Sequence, residues 1–143
     1  MNNRTLSLCG ILLAVLCARP CVGQSITCPD TIAVRQQLSE PIPGWTAVLD
    51  DTPIRLASIT FYDGRPEEKA SLVSDETKET AGRETATWHF SQSSRQIWMA
   101  CGYSGTAITL AQSLPVKITV CSVIYNVKQR VAGFPLIEKI NCR

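Results

Sequence analysis

Few side chains here could do chemistry. They are one histidine, His89, two acidic doublets, Asp50-Asp51 and Glu67-Glu68, a Gly102-Tyr103-Ser104-Gly105 run, and seven cysteines. Nucleophilic catalysis needs a nucleophile, a base within hydrogen-bond reach and a group that orients the base. His89 lies in Thr87-Trp88-His89-Phe90, where alternation sets it on the polar face of a strand, so it reads as a solvent-facing imidazole. The Gly102-Tyr103-Ser104-Gly105 run lacks the spacing of a nucleophile elbow and reads as a hairpin turn. Adjacent carboxylates in polar or Pro-rich loops are normally solvated, so neither doublet is expected to act as an acid–base pair. No glycine-rich phosphate loop occurs. A zinc site needs several converging Cys, His or carboxylate ligands, and one histidine beside paired cysteines does not supply them. The reading is a non-enzyme with no metal and no cofactor.

Pairing of the cysteines depends on where the chain is made to go. Asn2, Asn3 and Arg4 form a polar start, and Leu6–Ala18 is an apolar run of about 13 residues. A membrane-spanning helix needs ~20. Arg19-Pro20 ends the run, and Cys21-Val22-Gly23 puts small residues at the −3 and −1 positions of a cut between Gly23 and Gln24. Residues 1–23 therefore read as a secretory signal peptide and residues 24–143 as a single domain, periplasmic or secreted, with no membrane span after cleavage. Cleavage removes Cys9, Cys17 and Cys21 and leaves Cys28, Cys101, Cys121 and Cys142. An even number in an oxidising compartment points to two disulfides.

Composition agrees with a folded domain. The chain of 143 residues is 45% hydrophobic and 18% charged, which argues against disorder. Its formal charge of +2 falls to zero once Arg4 and Arg19 leave with the signal. The neutrality hides polarisation: residues 63–84 are net −3 and residues 85–143 net +5. Lys117, Lys128, Arg130, Lys139 and Arg143 lack interleaved aromatics, so no nucleic-acid surface is expected. Asp75, Glu76 and Glu79 fall in a polar stretch, residues 75–83, that reads as an exposed loop able to dock a basic partner. The plainer alternative is a solvated loop that shields an edge strand. Trp45, which follows Pro-Gly in a loop, is the tryptophan best placed for an exposed contact.

The elements that must position these residues are strands. Arg55–Tyr62 alternates with Ala57, Ile59 and Phe61 on one face, and Glu84–Phe90 with Ala86, Trp88 and Phe90 on one face. Thr31–Val34 and Ser71–Ser74 are short strand candidates, and Asp63-Gly64 supplies a turn. Ile97–Tyr103 and Thr106–Gln112 flank Ser104-Gly105, a two-residue hairpin signal that sets Cys101 opposite Ile108 and Met99 opposite Leu110. Val116–Val127 and Leu136–Cys142 come next, separated by a loop that ends in Gly133-Phe134-Pro135. About eight short strands with no helical stripe imply an all-β domain, a single antiparallel β-sandwich or partly closed barrel.

Strand register favours one disulfide connectivity. Pairing Val127 with Leu136 sets Cys121 opposite Cys142, within reach of a bridge, and leaves Cys28 for Cys101. The main rival joins Cys101 to Cys121, which in a simple meander lie two strands apart, roughly 9–10 Å, and on opposite faces.

Several spaced residues carry a resemblance. They are Cys28-Pro29, Gly44-Trp45, Phe61-Tyr62-Asp63-Gly64, Trp88-His89-Phe90, Trp98-x-x-Cys101-x-Tyr103, Leu114-Pro115, Cys121-Ser122-Val123-Ile124-Tyr125 and Cys142. The pattern resembles a functionally uncharacterised family of small exported proteobacterial proteins named after a Salmonella Typhi locus. That resemblance implies an exported, disulfide-bonded β domain and carries no catalytic residues. The functional expectation is an exported, non-enzymatic binding protein whose partner is a protein of the cell envelope. An immunity protein or inhibitor of a cell-wall-degrading enzyme is the specific form. A structural component that binds peptidoglycan or an envelope protein is the alternative, and a small hydrolase working through His89 is a distant third.

Overall fold

The computed structural model describes residues 26–91 and 95–143. The expected signal peptide with its Gly23/Gln24 cut, and residues 92–94 between the expected Glu84–Phe90 and Ile97–Tyr103 strands, lie outside the described residues. Among the described residues nine strands form: β1 Thr31–Ile32, β2 Ile54–Asp63, β3 Ser71–Leu72, β4 Glu76–Thr80, β5 Arg83–His89, β6 Ile97–Tyr103, β7 Thr109–Ser113, β8 Val120–Val131 and β9 Phe134–Cys142. All pair antiparallel, in two sheets. In the first, β2 has β6 and then β7 on one side, with β1 and β3 on the other. The second runs β4-β5-β8-β9. The architecture is a β-sandwich.

Alternating residues of both sheets supply the core. From the first come Ile59, Phe61, Ile97, Met99, Cys101 and Tyr103; from the second, Ala86, Trp88, Cys121 and Val123. Phe61 is the hub. It is fully buried, with its ring 4.9 Å from Trp88 and 5.5 Å from Phe90 in tilted contacts. The Trp88 indole N–H donates to the Leu72 carbonyl at 3.2 Å, and the Tyr103 hydroxyl to the Pro29 carbonyl at 2.9 Å. Each buried ring thus keeps its polar end satisfied.

Two disulfides brace the sandwich. Cys28 joins Cys101 and Cys121 joins Cys142, with Cα separations of 5.8 and 4.1 Å. The first ties the N-terminal arm to β6. The second links cross-strand partners on β8 and β9.

Four details depart from the sequence reading. Residues 75–83 are no loop: Glu76–Thr80 is an edge strand paired to β5 through an Ala81-Gly82 turn, both residues at positive φ. Its alternation is invisible in the sequence because both faces are polar, as an edge strand open to water permits. The β6–β7 connection is longer than two residues, so Cys101 pairs with Leu110 and Met99 with Gln112. A slip of two keeps every side chain on its face, which is why periodicity cannot detect it. Asn126, not Val127, pairs with Leu136, and an irregularity at Ile124/Tyr125 restores the Cys121–Cys142 alignment. Finally, Phe134 and Pro135 belong to β9, and the turn is Ala132-Gly133.

Candidate functional site

The 21 residues between β1 and β2 have no strand or helix. Segments of that length inside a compact domain are uncommon, and are usually either functional loops or linkers. The segment is nonetheless shaped. Pro43 and Gly44 occupy the centre of a turn closed by the Trp45 N–H to the Ile42 carbonyl at 3.1 Å, with Gly44 at φ +81°. Proline then glycine at positive φ is the type II pattern, and a Cβ at position 44 would adopt a backbone that L residues avoid. The turn delivers Trp45 to solvent at 81% exposure. Val48 is 90% exposed, and Leu38, Ile42 and Leu49 are each more than half exposed.

Both ends of the segment are fixed at one end of the sandwich. Gln36 Nε2 donates to the Gly105 carbonyl in the β6–β7 connection at 3.2 Å. Asp50 accepts from the Thr52 N–H at 2.9 Å and from its hydroxyl at 2.6 Å, and these bonds hold the Asp50 carboxyl below the usual carboxylate range. Asp50 and Thr52 share an open groove with Ser104 and Gly105 of the first sheet and Val131 and Ala132 of the second. The β6–β7 and β8–β9 turns meet the loop there, and they bring exposed Ile108 and Phe134 to the same end.

The acidic residues lie elsewhere. Asp75 immediately precedes β4 and Glu76 begins it, at the far end of the strands from the loop. Asp75 Oδ2 accepts the His89 backbone N–H at 2.6 Å and lies 3.4 Å from His89 Nδ1. His89 is on the outer, solvent-facing side of its strand, as expected. Glu76 pairs with Lys78 at 3.0 Å, and that contact, mainly through its hydrogen bond, lowers the Glu76 carboxyl. Strand alternation puts Glu76 on the outer face, in a shallow depression with Lys78, Thr80, Thr85 and Thr87, and Glu79 on the other face opposite Glu84. Two carboxylates facing each other across strands cost stability. So the cluster read as one acidic loop is divided between two faces of an edge strand, and Trp45 is not brought beside it.

The outer face of the second sheet also carries a polar lock. Arg83 Nε donates to Glu138 at 2.6 Å and Asn126 Nδ2 donates to its other oxygen at 3.0 Å. Arg83, then Asn126, lowers the Glu138 carboxyl, and Glu138 in turn raises Arg83. Of the other residues with chemical potential, Glu68 is engaged by Arg95 and by the Arg65 backbone N–H, which lower its carboxyl. Ser104 lies at the groove rim. Among the described residues, no group of three or more His, Cys, Asp or Glu could hold a metal ion, and no helix is long and apolar enough to cross a membrane. Sequence reasoning anticipates the exposure of Trp45 but not that of Leu38, Ile42, Val48 and Leu49. Their signal is the lack of any period in an apolar, proline-punctuated stretch, which leaves them without a sheet face to join.

A disulfide-braced β-sandwich that displays apolar side chains on a fixed loop is the build of a small protein-binding domain. Its family emerges from the comparison of the sandwich itself: residues 51–143 match the Type VI secretion system Tli immunity protein family, and the chain belongs to that family. It is a non-enzymatic immunity protein, whose work is to bind and inhibit a secreted effector. The chain is also 27% identical over 127 residues to an uncharacterised 16.3 kDa protein of the trpG 5′ region in Azospirillum brasilense, covering 84% of this chain and 83% of that one. No solved structure matches it significantly.

Proposed function

We propose that this protein is exported through a signal peptide cut at Gly23/Gln24 and protects the periplasm against a type VI effector of the lipase class. The observation that carries the reading is the family match over residues 51–143, which span β2 to β9. The two disulfides support the location, because such bridges persist in oxidising compartments. The effector is a lipase, where the sequence expectation of an immunity protein named a cell-wall-degrading enzyme. Asp75, Glu76 and Glu79 then act as an exposed acidic edge that draws in a basic effector surface, and the Glu79–Glu84 repulsion is relieved when a cation approaches. Exposed charges of this kind mainly set association rate.

The test is protection of cells that carry a lipase effector in the periplasm. Exported protein restores growth, and the same chain lacking residues 1–23 does not. Reversing Asp75, Glu76 and Glu79 to Lys slows association with the effector about tenfold or more at low salt. Protection by the cytosolic form would overturn the location, and an unchanged association rate would remove the acidic edge from the interface.

A further inference from the structure

Large apolar side chains are exposed at ten described positions, and five of them, Leu38, Ile42, Trp45, Val48 and Leu49, lie on one segment, the β1–β2 loop. Exposed Ile108, in the β6–β7 connection, and Phe134, at the start of β9, belong to the turns that line the groove at the stem of that loop. A folded monomer rarely concentrates exposed apolar groups in this way unless something covers them. The loop reverses at a type II turn and presents the Trp45 indole to solvent, so its complement must receive a projecting aromatic side chain. The loop is also acidic, with Glu40, Asp50 and Asp51 against Arg35.

That charge discriminates among occupants. An anionic membrane surface repels a loop of net −2. A second copy would set the same three carboxylates against themselves across a two-fold axis. A cleft that is apolar inside and basic at its rim fits both the side chains and the charge. A lipase must own an apolar cleft, because it binds acyl chains.

We infer that the β1–β2 loop enters the acyl-binding cleft of the effector, with Trp45 and Val48 as its anchors. The inference rests on the lipase reading above. Nearly all of the loop, residues 33–53, precedes the family match, which begins at Asp51. Gln36 ties the start of the loop to Gly105, the Cys28–Cys101 bridge lies just before β1, and the Asp50–Thr52 bonds shape the end of the loop locally. Contacts that preorganise a loop lower the ordering cost of binding.

The deciding experiment titrates an effector lipase, one against which the wild-type protein protects, with protein purified from periplasm. Two substrates are read, p-nitrophenyl butyrate in solution and phosphatidylglycerol vesicles. A plug in the acyl cleft blocks both. Trp45→Ala weakens inhibition by ~30-fold or more, the range of an aromatic hot spot, and Val48→Asp does so by ~10-fold or more. Val73→Asp and Val116→Asp, on equally exposed apolar residues away from the loop, leave it unchanged. All four positions are exposed, so melting temperatures report that the fold is intact.

If the wild type inhibits and the loop variants inhibit equally well, the loop inference is wrong while the immunity reading stands. Inhibition on vesicles with full activity on the soluble ester also overturns it, since that pattern means the membrane-docking face is blocked. Wild-type protein that sediments with vesicles alone, or a Trp45-dependent dimer, assigns the loop to another occupant. If wild-type protein inhibits no lipase, the functional reading falls and the inference falls with it.

Discussion

The two disulfides differ in the length of chain they close, and that difference has a calculable consequence. Cys28–Cys101 spans a sequence separation of 73 and Cys121–Cys142 one of 21. The spans do not overlap, so each restricts the unfolded chain independently. The loop-entropy relation gives about 4.4 kcal/mol for the first bridge and about 3.4 kcal/mol for the second at 25 °C. Replacing both cysteines of one pair by Ala also removes buried sulfur in each case, and Cys28, Cys101 and Cys121 are all under 9% exposed. The difference between the two variants, about 1 kcal/mol, therefore isolates loop length better than either absolute loss. For a domain of this size, ~2.1 cal/mol/K per residue converts the losses to roughly 17 and 13 °C in melting temperature.

Urea unfolding of the two double-Ala variants and the oxidised wild type is the assay, with m-values compared to confirm a common unfolded state. The Cys28→Ala/Cys101→Ala variant is expected to be the less stable. If Cys121→Ala/Cys142→Ala loses more, the stabilisation does not act through the unfolded chain as argued. There is a local consequence as well. Cys28 is a covalent anchor of the arm that leads into the β1–β2 loop, and β1 is only two residues long. Amide exchange of residues 29–50 should quicken in the Cys28→Ala/Cys101→Ala variant and remain at wild-type rates in the other.

Phe61→Ala empties the contact between the two sheets and should cost about 3–5 kcal/mol in urea unfolding, because the ring is fully buried against Trp88 and Phe90. Acid titration tests the outer-face lock. Glu138 is held below its ordinary 4.5 in the folded state, so its contribution is present above about pH 4.5 and is lost as pH falls through the lowered value. Glu138→Gln should therefore flatten the pH dependence of stability below pH 4.5 and leave its shape near neutrality unchanged.

How much of the fold is legible in the sequence depends on which residues have a face to declare. Ile59, Phe61, Ala86 and Trp88 alternate against neighbours on the other face of their strands, and the structure buries all four; Met99 and Cys101 are buried as well, in a strand whose other face carries Trp98, Ala100 and Gly102. β4 escapes detection because Glu-Thr-Lys-Glu-Thr is polar on both faces, and an edge strand exposed throughout has no buried face to mark its period. Cys121 opposite Cys142 is reached from the wrong starting pair, Val127 with Leu136, since a bulge offsets the error by one residue. Of the candidate site, Trp45 is identifiable from Pro-Gly-Trp, because a Pro-Gly turn lifts the next residue away from any sheet face. The grouping of Val48 and Leu49 with Ile108 and Phe134 depends on three connections meeting at one end, and no local pattern encodes that. The acidic residues form a cluster in the sequence, yet strand alternation divides them between two faces.

The central claim is that this chain works by occupying an effector, and calorimetry with parallel activity measurement tests it most directly. Oxidised protein from periplasm is titrated into a purified type VI lipase effector at physiological salt. The account predicts a one-to-one complex, with lipase activity extinguished at the same equivalence point that the heats define. A complex that leaves the enzyme fully active, or no complex at any excess of protein, would contradict it.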